Sequence, residues 1–337
     1  MEEQIKNTLT SYMHLAADEL YAKARDARNS AWGNKIFVYG FLYLSTFCKN
    51  NCAFCQYRSS NEQEERYRKT LRELLEAGKR LADDGVHLLD LTLGEDLYYT
   101  SEENFSRLEE IVSELHRQLG LPIMVSPGVI TKGQLQKLQK AGANWYACYQ
   151  ETHDHSLFAK LRLNQDFTVR KQARLDAKDA GLLVEDGLLT GVGEDNDILL
   201  YSIEEMYREP LAQVRAMSYV PHECTFPSTA GDTLEERREH ELKAIALMRL
   251  LMPQRLIPAS LDVDGLEGLA MRLNAGANVV TSIVPSGRGF AGVASKELDI
   301  DNNNRSVFAV RKKVEELGLQ IAAQSDYAAW IKEQNTL

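Results

Sequence analysis

Apolar positions along the chain follow two rhythms. Over residues 1–33 they recur at three- and four-residue spacing, as in LAADELYAKARDARNSAW, which predicts helix with Gly33 as a stop. Beyond that, short apolar or β-branched runs alternate with longer charged segments of helical period. The runs are IFVYGFLYL (36–44), HLLDLTL (87–93), PIMVSP (122–127), NWYACYQE (144–151), LLVEDGLLTG (182–191), VRAMSYVP (214–221), RLIPASLD (255–262) and NVVTSIVP (278–285). Gly85, Gly142, Gly181 and Gly276 mark helix ends just before four of them.

Eight strand-like runs separated by helices predict a parallel sheet, and eight is the number that closes a barrel of this kind. The expected fold is therefore α/β: a (βα)8 TIM-type barrel over residues 34–337, preceded by an N-terminal helical extension over 1–33. Such barrels carry their chemistry at the C-terminal ends of the strands. The polar residues at or near those ends are Asp90, Gly94-Glu95-Asp96, Ser126, Glu151, Gly191–Glu194, Arg215, Ser260, Asp262 and Ser282. Each alone is unremarkable, and it is their convergence that predicts a central site.

Composition narrows the function classes. Of 337 residues 44% are apolar, enough for a sizeable core, and the net charge is −10. No basic run or stripe appears, which argues against nucleic acid or an anionic membrane as partner. The first residues, MEEQIKNTLTSYMH, do not read as a signal peptide, and no apolar run approaches the ~20 residues of a membrane span. The expected location is the cytoplasm. An odd count of five cysteines, three of them clustered, argues for a metal or cluster site in a reducing compartment rather than a disulfide framework.

The cluster is FCKNNCAFC, with Cys48, Cys52 and Cys55 inside eight residues. Structural zinc takes four protein ligands, so a zinc reading needs a fourth donor, and His153, His155 and Cys224 are available. Three ordinary buried cysteines on so polar a loop fit less well. The third reading is a [4Fe–4S] cluster held by three thiolates, with one iron left open for a cofactor.

The spacing C-x3-C-x-aromatic-C resembles the signature of the radical S-adenosylmethionine (SAM) superfamily, with Phe54 in the aromatic slot beside the adenine. The resemblance implies that Cys48, Cys52 and Cys55 hold a [4Fe–4S] cluster whose open iron binds the methionine end of SAM. It implies further roles along the chain. Gly94 and Glu95 in LTLGED resemble the motif that receives the SAM ammonium, with Leu93 departing from its first glycine. YQETHDHSLFAKLRLNQDFTVR resembles a run of the biotin-synthase and hydrogenase-maturation branch. It places Glu151 by the SAM amino or ribose side, and Arg170 and Arg162 by the carboxylate. The competing reading of each arginine is an exposed helix-surface charge. GLLTGVGE resembles the adenosine-side motif, with Gly191 allowing close backbone approach, and Ser126 would touch the ribose.

A second, auxiliary cluster would need more cysteines than Cys148 and Cys224, both of which read as small buried residues. His153 and His155 read as non-catalytic loop residues. The remaining polar set suits a small zwitterion. Arg215 would take a carboxylate, Asp90 and Asp262 would take ammonium groups, and Ser260 and Ser282 would add hydrogen bonds. Buried charges need partners, so this set points to a dibasic amino acid unless the residues pair among themselves.

From about residue 30 onward the sequence resembles the methylornithine synthase family of pyrrolysine biosynthesis, through HLLDLTLGEDLYY, LGLPIMVSPG, VEDGLLTGVGED, RLIPASLDVDG and LNAGANVVTSI. That family isomerises L-lysine to (3R)-3-methyl-D-ornithine. The implied chemistry is hydrogen abstraction by a 5′-deoxyadenosyl radical, fragmentation into a glycyl radical and an aminobutene, and recombination. A one-electron reductant such as ferredoxin or flavodoxin is implied with it. Two alternatives stay open at this point: another radical SAM enzyme of the same branch, and a zinc-containing barrel.

Overall fold

A computed structural model describes residues 2–221, 233–285 and 304–334. All eight predicted strands are present: β1 (Lys35–Ser45), β2 (Leu88–Leu93), β3 (Ile123–Ser126), β4 (Trp145–Ala147), β5 (Leu183–Thr190), β6 (Gln213–Ser218), β7 (Pro258–Ser260) and β8 (Val279–Ile283). They pair in parallel in the order β6-β5-β4-β3-β2-β1-β8-β7. A parallel bridge between Gln213 and Leu256 draws the two ends together, so the barrel is nearly closed. Most strand positions are buried, as expected where helices cover one face and the barrel interior the other.

The helices begin where the sequence supplies caps. Thr70 with Glu73, Thr131 with Gln134 and Thr233 with Glu236 each form a reciprocal capping box, satisfying orphan backbone donors at both ends of the exchange. The first 33 residues form two helices, Glu2–Met13 and Ala17–Trp32. The second is tied to the barrel by Arg28, which donates to the Leu273 carbonyl at 2.6 Å, and by the Trp32 indole, which donates to Pro253. A ninth strand, β9 (Gln320–Ile321), was not expected; it pairs with the start of β1.

The last helix, Gln324–Gln334, packs at the N-terminal end of the barrel. Its Tyr327 hydroxyl meets that of Tyr39 at 2.8 Å, and Trp330 stacks on Trp145. With that end filled by aromatic rings, the cavity lies toward the opposite rim, where the strands end. Among the described residues no helix is long and apolar enough to cross a membrane.

Candidate active site

The cysteine loop leaves β1 after Ser45 and is held from several sides. The Arg66 guanidinium donates to four loop carbonyls, those of Thr46, Tyr57, Arg58 and Asn61, at 2.6–2.9 Å. Asp96 receives the Ser45 hydroxyl and a two-pronged bond from Arg68. Ala53 N–H donates to the Leu161 carbonyl, tying the loop to the helix His155–Leu161. Gly94 lies directly beneath: a Cβ there would come within 2.3 Å of the Phe47 carbonyl oxygen and 2.8 Å of Cys48 Cβ. The glycine is thus required by the approach of the cysteine loop itself.

Burial pushes the Cys55 thiol up to about 12, reinforced by the neighbouring Cys52, and burial also raises Cys48. Uncompensated thiolates are therefore unfavourable here, and a cationic centre is what would offset the cost. Cys52 Sγ accepts from Gln165 Nε2 at 3.0 Å and lies 3.6 Å from Arg162 Nη1. Hydrogen bonds of this kind tune cluster sulfurs. The zinc reading loses its extra donors. His153 bonds Asp186 at 3.0 Å, His155 stacks on Phe167, and Cys224 lies outside the described residues. A cluster spanning three thiolates fits this donor set better than zinc.

Behind the loop, acids and arginines alternate. Glu95 accepts from Val129 N–H, pairs with Arg170 at 3.4 Å and with Lys49 at 3.2 Å. Burial opposes its ionisation, but Arg170 and the Val129 amide outweigh it and hold the carboxyl below its ordinary value. Glu151 pairs with Arg162 at 2.6 Å. Burial nevertheless raises Glu151, with Arg162 and Arg170 only partly opposing it. Both arginines are buried, which overturns the helix-surface reading, and Arg162 Nε has no partner. Both also donate to one acceptor, the Tyr149 carbonyl, at 2.9 and 2.5 Å. Glu151 itself has φ of 71°, a left-handed conformation held by backbone bonds to Gly187 and Leu189. Two zwitterionic pairs with a spare donor suit the zwitterionic end of SAM. Phe54 lines the adjoining cavity with the Arg162 guanidinium 5.3 Å from its ring centroid.

Ser126, expected at the ribose, lines the cavity, and its hydroxyl donates to Asp90 at 3.1 Å. At Gly191, expected to admit adenosine, a φ of 77° and the Arg237 side chain, 2.3 Å from where a Cβ would stand, call for glycine. The Glu194 carboxylate accepts from the Gly191 and Val192 amides, so this acid shapes its own loop.

A cavity of about 190 Å³ opens between the cysteine loop and the strand ends, with Phe54, Cys55 and Glu151 on one side and Asp90, Arg215 and Asp262 on the other. Asp90 accepts from Thr92 and Ser126, both on Oδ1, which leaves Oδ2 to the cavity. Burial, then the charge of Glu185, raise its carboxyl to about 7, with Arg215 opposing them. Arg215 donates to Glu185 at 2.8 Å and to Thr281, and its Nη2 is unpartnered. Asp262 accepts from Ser282 at 2.5 Å, from Ser260 at 3.2 Å and from Arg305 at 2.7 Å. The predicted anchors therefore do converge. Two buried partners, Glu185 and Arg305, were missed, and they show that Arg215 and Asp262 are already paired. Cys148 is buried in the barrel core, as expected for a small apolar residue.

A parallel eight-stranded barrel with three clustered thiols after its first strand and buried acid–arginine pairs above its mouth defines a radical SAM enzyme. Residues 42–205 match the radical SAM superfamily. The chain is 44% identical to 3-methylornithine synthase of Methanosarcina acetivorans, over 92% of this chain and 87% of that one. It is 43% identical to the Methanosarcina barkeri 3-methylornithine synthase, over 96% and 92%. A crystal structure of methylornithine synthase (PylB) superposes with a TM-score of 0.89 at 41% identity, covering 96% of both chains. The chain belongs to the 3-methylornithine synthase family, whose cofactors are a [4Fe–4S] cluster and SAM.

Proposed function

We propose that this protein isomerises L-lysine to (3R)-3-methyl-D-ornithine, the first step of pyrrolysine biosynthesis, drawing one electron from a carrier such as ferredoxin or flavodoxin. When bound, cluster and SAM supply a 5′-deoxyadenosyl radical that takes a hydrogen atom from the substrate. Everything else falls to side chains of the cavity.

The observation that carries the reading is the charge balance around that cavity. On the side away from the cysteine loop Asp90, Arg215 and Asp262 line it, and Glu185 and Arg305 pair with Arg215 and Asp262 from behind the wall: three carboxylates against two guanidiniums. The excess of one negative charge complements lysine, which carries two ammoniums and one carboxylate. Arg215 holds the carboxylate through its unpartnered nitrogen. Asp90 takes an ammonium at Oδ2. Asp262 takes the other: a carboxylate has about four acceptor sites, and three are used. Ser260 and Ser282 set the Asp262 orientation. Fragments formed in the cavity stay anchored by charge, so recombination remains intramolecular in effect. Hydrogen-atom transfer needs no general base, in keeping with the pairing of His153 to Asp186 outside the cavity wall.

The test is anaerobic. Enzyme reconstituted with iron and sulfide is given SAM, a one-electron reductant and L-lysine, and amino acids are separated with mass detection. An isomer of lysine with a new retention time supports the reading. SAM cleavage without conversion of lysine sinks it and points to another radical SAM activity.

A further inference from the structure

Glu185 on β5 is opposite Gln213 on β6, two residues along from Arg215, whose own register partner is Gly187, and it is fully buried without lining the cavity. Its two oxygens divide their work. Oε1 accepts from Arg215 Nε at 2.8 Å, and Oε2 accepts from the Tyr149 hydroxyl at 3.1 Å. Arg215 Nη1 is further fixed by Thr281 at 3.1 Å, so the guanidinium is held at two of its three nitrogens while Nη2 is left without a protein acceptor. Tyr149 lines the cavity and is clamped in turn. A Cβ on Gly187 would come within 3.0 Å of the Tyr149 ring, and the Arg215 guanidinium lies 5.5 Å from the ring centroid on its own approach.

We propose that Glu185 is a positioning and specificity-determining residue of the substrate site: it fixes the carboxylate anchor Arg215 and the wall residue Tyr149, and supplies the third carboxylate that matches the cavity to a dibasic amino acid. The inference rests on the lysine reading above. Without Glu185 the remaining set is Asp90, Asp262, Arg215 and Arg305, which is neutral overall and suits an ordinary amino acid. The field of Glu185 also reaches the anchor opposite, since it is among the charges that oppose ionisation of Asp90. An incoming ammonium relieves two crowded carboxylates at once, and a neutral side chain relieves neither.

The test uses reconstituted, SAM-loaded enzyme under anaerobic conditions. Dissociation constants are measured by calorimetry for L-lysine and for L-norleucine, which lacks only the terminal nitrogen. Wild type favours lysine. Glu185→Gln keeps the shape and one carbonyl acceptor but removes the charge. It weakens lysine by roughly 10- to 100-fold, the range of one charge-assisted hydrogen bond, and norleucine far less. The lysine preference collapses, and KM for lysine rises while kcat moves by only a few fold. Glu185→Asp keeps the charge with a shorter reach, so it weakens both ligands alike and retains the preference. Equal weakening of both ligands by Glu185→Gln, or unchanged lysine binding, refutes the role of Glu185 while leaving the lysine reading intact. Loss of the preference in Glu185→Asp refutes it as well. Wild type that does not favour lysine refutes the substrate reading itself, and this inference with it.

Discussion

Replacing Asp90 by asparagine isolates the cost of keeping a carboxylate ready for an ammonium that has not yet arrived. Burial and Glu185 raise the Asp90 carboxyl from the ordinary 3.8 to about 7 in the folded protein. In the unfolded chain it ionises near 3.8. Below that pH it is protonated in both states and costs nothing. Between 3.8 and about 7 the folded state holds a proton the unfolded state does not, so stability falls as pH rises, and above about 7 the whole cost is present. A gap of about 3 in pH at 1.36 kcal/mol each comes to roughly 4 kcal/mol. Asparagine cannot ionise, and its carbonyl can still accept from Thr92 and Ser126, because both donate to the same oxygen of Asp90. The variant is therefore more stable than wild type by up to ~4 kcal/mol at pH 8 and by only ~1 kcal/mol at pH 4.5. At an unfolding entropy of ~2.1 cal/mol/K per residue, the gain at pH 8 is about 6 °C in Tm. Anaerobic scanning calorimetry without substrate measures both. The same variant loses lysine binding, since the acceptor for one ammonium is gone. No gain at pH 8, or an equal gain at both pH values, refutes the reasoning.

Other perturbations separate the cofactor side from the substrate side. Arg66→Ala removes four bonds to the cysteine loop, and iron and sulfide retained per chain after reconstitution fall while Tm changes little; full retention contradicts the role given to Arg66. Gly94→Ala places a Cβ 2.3 Å from the Phe47 carbonyl oxygen, at a cost of ~1–3 kcal/mol, and the forced shift of the cysteine loop lowers the cluster absorbance. Asp262→Ala leaves the cluster spectrum intact and abolishes turnover; surviving turnover removes Asp262 from the anchors.

The strands were legible because each is a compact apolar run between helix stops. β4 is shorter than its run, Asn144–Glu151, because the chain leaves the sheet after Ala147 to reach the left-handed turn at Glu151. β9 escaped notice because two residues, Gln320–Ile321, give no period to read. Asp90, Arg215 and Asp262, the proposed anchors, stand out as polar residues at strand ends, and their partners do not. Glu185 did carry a signal: an acid inside a strand buried on both faces must have a cation within reach. Within the run LLVEDGLLTG it carries no strand-end position, and only strand-end polar residues are read as site candidates. Arg305 follows the polar run DNNN, where nothing in the pattern separates a buried arginine from a solvated one. Arg66 is similar. Its function lies in loop carbonyls, and those are invisible until the loop has a shape.

Tyr149 shows why the two halves of this site need one another. Its carbonyl is the common acceptor of Arg162 and Arg170, the cations above the cysteine loop, and its hydroxyl binds Glu185 beneath Arg215. A residue fixed at both ends leaves its ring little freedom, and the ring forms part of the cavity wall. Each buried cation nearby is likewise met by an acid: Arg170 by Glu95, Arg162 by Glu151, Arg215 by Glu185 and Arg305 by Asp262. Pairing of this kind adds little net stability, since desolvation consumes most of the Coulomb gain. What it provides is orientation without solvent. A reaction that breaks a substrate into two fragments must keep water out and both fragments facing one another, and hydration of a free arginine would do the opposite. The proposed anchors are therefore satisfied in advance, each with one donor or acceptor to spare, so that on this reading binding completes a charge pattern rather than creating one.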